Sequence, residues 1–151
     1  MPIEYCILHH LRLVAARGVG MVSADDIFGY QREVWSSPDV VGYNELVDMT
    51  RTEGIVSPTP EKTRELAALS ASMDTSPTWT RFAIVAPQDL AFALWELYEA
   101  YRRLEPRSTK DVAVFRTMGE ALVFLGIDLS RAKSREGKLE IWPDAKADAS
   151  K

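Results

Sequence analysis

Phe82-Ala-Ile-Val-Ala-Pro-Gln-Asp-Leu90 decides the fold: an unbroken apolar run passes through a proline-marked turn, and an amphipathic stretch begins at once. Glu45-Leu-Val-Asp-Met49 and Val112-Ala-Val-Phe115 open units of the same kind on either side of it. A strand that is apolar at successive positions must be covered on both faces, which is the condition of a parallel sheet flanked by helices.

Upstream of these units, Ile3 to Leu8 and Leu11 to Arg17 read as two strands joined at His9-His10, and so short a connection forces antiparallel pairing. Gly18 and Gly20 are expected to end the second strand. Ser23 is a good N-cap, with Asp25 and Asp26 in the first turn where negative charge suits the helix dipole. Ile27, Tyr30 and Val34 form the inward stripe of this first helix, and Ser36-Ser-Pro38 stops it. After a strand ending at Asp48-Met49, Thr50 to Pro58 reads as a polar connection. Thr59-Pro60 starts the second helix, with Leu66, Leu69 and Met73 as its stripe. The third and longest helix follows the Phe82 strand, and Leu90, Leu94, Leu97, Tyr98 and Tyr101 fit the inward template. Thr117 and Glu120 are spaced as a capping box for the last helix, which Gly126 closes. The expected architecture is α/β: a five-stranded mixed sheet, an N-terminal antiparallel hairpin followed by βα repeats, with four helices. Right-handed crossovers set sequential parallel strands side by side. Residues 1–127 form the domain; from Asp128 to Lys151 the composition turns charged and small, as in a loosely ordered tail. Leu139-Glu-Ile-Trp142 is the apolar exception, expected to dock on its own domain or a neighbouring chain.

With 151 residues and a net charge of −4, the chain has the size of one domain and lacks the concentrated basic charge that phosphate backbones require, so no nucleic-acid partner is expected. No apolar stretch approaches the roughly 20 residues of a bilayer span, and Met1-Pro-Ile-Glu4 does not read as a signal peptide. Cys6 is the sole cysteine and reads as a residue packed in the sheet of a cytoplasmic protein.

Chemistry is harder to find. Gly18-Val-Gly20 lacks the third glycine of a dinucleotide fingerprint, and no nucleophile elbow, P-loop or zinc-protease motif occurs. His9 and His10 have no carboxylate or thiol at ligand spacing, so neither a metal nor a cofactor is expected. In open α/β sheets ligands sit beyond the carboxyl ends of the strands, where this reading delivers Asp48, Thr50, Arg51, Gln88, Asp89, Arg116 and Thr117. The arginines there either hold an anion beside the helix N-termini or pair with the two aspartates. Phe28 and Trp35 on the first helix, with Phe92 and Trp95 on the third, exceed what one inward stripe needs; they form a wide core stripe, a contact face or a groove.

Leu46-Val-Asp-Met-Thr50, Phe82 to Pro87, Asp89-Leu-Ala-Phe92 leading to Tyr98-Glu-Ala-Tyr101, and Val114-Phe-Arg-Thr-Met118 with Glu120-Ala-Leu122 resemble the SpoIIAA-like, or STAS/SEC14-type, small bacterial proteins. The resemblance runs from Ile3 to about Ile127 and implies the SpoIIAA-like βα superhelix. It also implies relatives that include anti-sigma-factor antagonists, switched by phosphorylation of a serine or threonine, and lipid-binding modules. The antagonists' phosphorylated position corresponds to Ser57, but here Val56 stands before it in place of the antagonists' aspartate. The function expected first is a non-enzymatic cytoplasmic interaction module, homodimeric through Phe92 and Trp95. The alternatives are a small-molecule or lipid binder and a phospho-switched antagonist.

Overall fold

The computed structural model describes residues 2–56 and 59–128. Five strands and four α-helices alternate as β1 (Ile3–Leu8), β2 (Leu13–Ser23), α1 (Ala24–Trp35), β3 (Asn44–Val56), α2 (Pro60–Ser72), β4 (Thr80–Val85), α3 (Asp89–Arg103), β5 (Lys110–Phe115) and α4 (Met118–Leu125). The strands form one sheet in the order β1-β2-β3-β4-β5, with β1 antiparallel to β2 and every later pair parallel. This is the mixed sheet expected from the apolar runs. Because the parallel strands advance in one direction with right-handed crossovers, α1, α2 and α3 all fall on the same face. Val14, Ala16, Val47, Phe82, Ile84 and Val112 point into that three-helix layer. Leu13, Ala15, Leu46, Ala83 and Val85 alternate to the opposite face, where Ala121, Leu122 and Leu125 of α4 cover them.

The caps sit where the sequence puts them. Ser23 and Asp26 complete a reciprocal capping box at α1, Thr59 caps α2 and Thr117 caps α4; Gly126 closes α4 with φ of 72°. His9–Leu11 makes the hairpin connection as a single 3-10 turn, and the partners Leu8 and Leu13 flank it. Cys6 is half-buried on β1, and burial pushes its thiol up against the opposing pull of Arg17.

Three expectations need correcting. Gly18 and Gly20 do not end β2, which continues to Ser23, and Thr50 to Val56 is not a connection but the second half of β3. These halves pair with each other beyond the end of β4, as a two-stranded arm with register shifts at Arg17/Val19 and Gly20/Met21. The extra residues of both bulges lie on β3, opposite Gly18 and the Gly20–Met21 step of β2; Gly20 has φ of 71°, and a Cβ on Gly18 would lie 2.6 Å from the Thr52 hydroxyl. The third correction concerns α3, whose buried residues are Ala91, Trp95, Tyr98 and Arg102, while Leu90 is 63% exposed. The helix is rotated from the leucine template because Arg102 turns inward to Asp74, meeting both carboxylate oxygens at 2.8 and 2.7 Å. In α2 the buried set is Leu66, Ala67, Ser70 and Ala71, with Leu69 and Met73 at its flank. The tail from Leu129, including Leu139 to Trp142, lies outside the described residues, as does Ser57.

Candidate functional site

Three places bring reactive or recognition side chains together. The first is the carboxyl edge of the sheet. Arg116 follows β5, and its Nη1 donates to the Pro87 carbonyl at 3.0 Å and to Asp89 Oδ1 at 2.6 Å. Its guanidinium lies 4.1 Å from the centre of the Phe92 ring. Gln88 Nε2 donates to the Thr52 carbonyl at 3.1 Å, which fastens the β2–β3 arm to the start of α3. The Thr117 hydroxyl accepts from Glu120 N at 3.3 Å and donates to Glu120 Oε1 at 2.8 Å, so it is occupied as a cap. Asp48 does not stand at a strand end as expected. It is buried within β3, where Oδ1 accepts from Thr50 N at 2.9 Å beside the bulge; Thr50 and Arg51 point to solvent. The Asp89 side chain is 96% exposed, and its pair with Arg116 is a surface contact worth at most about 1 kcal/mol. Of the two anticipated uses of these arginines, Arg116 takes the pairing with aspartate.

The second place is a buried polar cluster under α1 and α3 that sequence reasoning missed. Glu45, 1% exposed in β3, binds Lys110 Nζ through Oε1 at 2.6 Å. Its Oε2 accepts from the Tyr30 hydroxyl at 2.7 Å and from Trp35 Nε1 at 3.1 Å. The Lys110 ammonium also sits 3.2 Å from the centre of the Trp35 ring, a cation–π contact in a dry site. Burial drives Lys110 below its ordinary value despite the Glu45 charge that opposes it. Burial, then the Glu45 charge, push the Tyr30 phenol well above its own. Two charges so deep are tolerated because they face each other, and Tyr30, Trp35 and the Trp35 ring supply further polar and cation–π contacts. The available sequence signal was Glu45 inside an apolar run that is buried on both faces.

The third place is an apolar cleft between α1, α2, α3 and the arm. Ile27 and Phe28 come from α1, Ile55 and Val56 from β3, Leu66 from α2, and Leu94 and Trp95 from α3; they enclose about 50 Å³. Lys62 and Thr63 stand on the α2 side of the same cleft. Ile27, Leu66, Trp95 and Tyr98 also line an inner cavity of about 20 Å³, whose polar walls are Tyr30, Gln31, Glu45 and Ser70. Ser70 donates to Gln31 Oε1 at 3.2 Å, so this inner wall is already braced. Trp95 is 5% exposed, and its Nε1 has no hydrogen-bond partner among the described residues.

The four aromatic residues expected to form a wide stripe, a face or a groove are thus divided. Phe28 and Trp95 are buried and line the cleft. Trp35 is half-buried and bonded inward to Glu45, and Phe92 lies half-buried under Arg116. Trp95 belongs to the core stripe of α3 and presents no outward contact face.

This arrangement is the SpoIIAA-like α/β fold. The chain is similar over 82% of its length to the crystal structure of an uncharacterised protein of the DUF3478 family, with a SpoIIAA-like fold, from Shewanella loihica PV-4. The match spans 93% of that protein at 17% identity with a TM-score of 0.53, and it establishes the fold. No protein-family model matches the chain, and no curated protein matches it. Among the described residues, no helix is long and apolar enough to cross a membrane.

Proposed function

We propose that this protein is a small-molecule-binding module of the cytoplasm, that its site is the cleft between α1, α2 and α3, and that it holds its ligand rather than transforming it. One observation carries this reading. Phe28 and Trp95 turn inward to wall a concave apolar space, and Trp95 also lines a smaller, mainly apolar cavity beside it to which Tyr30, Gln31, Glu45 and Ser70 contribute. Small-molecule sites have that character: apolar and aromatic walls with a few placed polar groups. About 50 Å³ is too narrow for a partner helix but admits one end of a substituted aromatic or short alkyl ligand, whose remainder would lie in the mouth. The homodimeric reading draws on Phe92 and Trp95, and Trp95 is spent inside the domain. The phospho-switch reading rests on Ser57, which lies outside the described residues.

The test is an NMR titration with propylbenzene on methyl-labelled protein. The expected result is saturable shifts at Ile27, Ile55, Leu66 and Leu94, with Val114 and Leu122 unmoved. Absence of saturable shifts at the cleft methyls would overturn the reading.

A further inference from the structure

We infer that the chain beyond α4 docks back on its own domain, with Leu139-Glu-Ile-Trp142 seated over the β1–β2 half of the sheet face that α4 is too small to close. This face is the one opposite the cleft, and the inference does not depend on the cleft being a binding site.

Among the described residues α4 is the only helix on this face, and its eight residues form a cylinder roughly 12 Å long and 10 Å wide. With strands about 4.8 Å apart, that covers about two of them. The helix packs chiefly on β4, and less on β5 and β3. On the remaining half, Leu8 of β1 pairs with Leu13 of β2, Cys6 with Ala15, and Glu4 with Arg17; Arg17 in turn stands level with Asp48 of β3. Arg17 is 7% exposed and Asp48 6%. Charged side chains on a sheet face open to water are mostly exposed. Glu4, which accepts from Arg17 Nε at 2.7 Å, is itself exposed and does not supply the burial. A buried arginine two strands away from β4 calls for a further layer over β1 and β2.

Reach, composition and area name the occupant. Ile127 packs in the same cluster as Leu8 and Leu11, so the chain leaves α4 on this face and at the hairpin edge of the sheet. Residues 129–138 precede Leu139, and a stretch of that length spans up to about 33 Å. The distance along β2 from Leu13 to Arg17 is only about 13 Å. Beyond Leu129 the large apolar side chains are Leu139, Ile141 and Trp142, grouped within four positions. The connector carries Arg131, Lys133, Arg135 and Lys138, which oppose the acidic excess of Glu4 and Asp48 over Arg17. A strip two strands wide and six residues long offers about 200 Å². A stable interface with a second copy needs about 800 Å² on each partner, whereas a four-residue segment fits the strip.

The test uses the 151-residue chain, methyl-labelled and mixed with unlabelled protein so that contacts within and between chains are told apart. Nuclear Overhauser contacts are expected from the Trp142 ring to the Leu8 and Leu13 methyls of the same chain. None is expected to Ile7 or Val14, which face the helices. Trp142→Glu should abolish these contacts and speed alkylation of the half-buried Cys6 by iodoacetamide at least about threefold, since thiol reactivity follows access. Lys146→Glu should change neither. The wild-type contacts decide the matter without any variant. Contacts from Trp142 to the same methyls only between chains, with a doubled mass by light scattering, would overturn the inference in favour of a second copy. Contacts to Ile55 and Leu94 instead would overturn it by placing the segment in the cleft. No contacts, with Cys6 alkylated equally fast in wild type and Trp142→Glu, would also overturn it.

Discussion

The carboxyl edge of the sheet and the layer beneath α1 and α3 hold the same kinds of side chain and put them to opposite use. At the edge, Arg116 and Asp89 meet at 2.6 Å in water. Beneath the helices, Lys110 and Glu45 meet at the same 2.6 Å, with side chains 6% and 1% exposed. Distance alone does not rank them. In solvent, screening and side-chain entropy nearly cancel the attraction; in the interior each charge depends on its partner, because removing one strands the other.

Deleting one charge at each place separates the two regimes. Lys110→Met should lower the unfolding free energy by about 3–5 kcal/mol in urea titrations, because Glu45 keeps only the neutral donors of Tyr30 and Trp35. The double variant Glu45→Gln with Lys110→Met should recover part of that loss. At the edge, Arg116→Ala should cost no more than about 1 kcal/mol. Comparable losses at the two sites would mean that burial does not set the difference between these pairs.

A pH series probes the same buried cluster through its phenol. Tyr30 is held well above its unfolded value of 10.0, so the fold favours its neutral form. The stability this contributes is complete below about pH 10 and is lost as the pH climbs toward the raised folded value. The stability gap between wild type and Tyr30→Phe should therefore be level up to about pH 9.5 and narrow above it. A gap that widens with pH would mean that the phenolate is the form the cluster prefers.

What the sequence conveyed, and what it withheld, follows from the range of each interaction. Caps are local: Ser23, Thr59 and Thr117 each act within three residues, and all three were readable. The apolar runs of β3, β4 and β5 announce burial on both faces, and the parallel order follows from chirality. The second half of β3 was misread because Thr50-Arg-Thr-Glu-Gly54 has the composition of a loop; it is a strand only because β2 pairs with it through bulges set opposite Gly18 and Gly20. The phase of α3 was misread because Asp74, 28 residues away, draws Arg102 inward and carries Leu90 out. Glu45 and Lys110 are 65 residues apart, with no local pattern to connect them. The surplus of aromatic residues on α1 and α3 was a true signal, but residue type does not give direction, and Phe28 and Trp95 turn inward.

If the cleft itself is the binding site, filling it must displace the ligand. Ala24 lines the cleft from the first turn of α1, half-buried at the edge of the main core cluster. Ala24→Trp should occupy the space while leaving the core intact. Propylbenzene titrations followed at the Leu66 and Ile55 methyls should then show at least about tenfold weaker binding than wild type, as loss of a well-packed apolar contact implies. Undiminished binding in a folded Ala24→Trp protein would place the ligand elsewhere and contradict the cleft as the site.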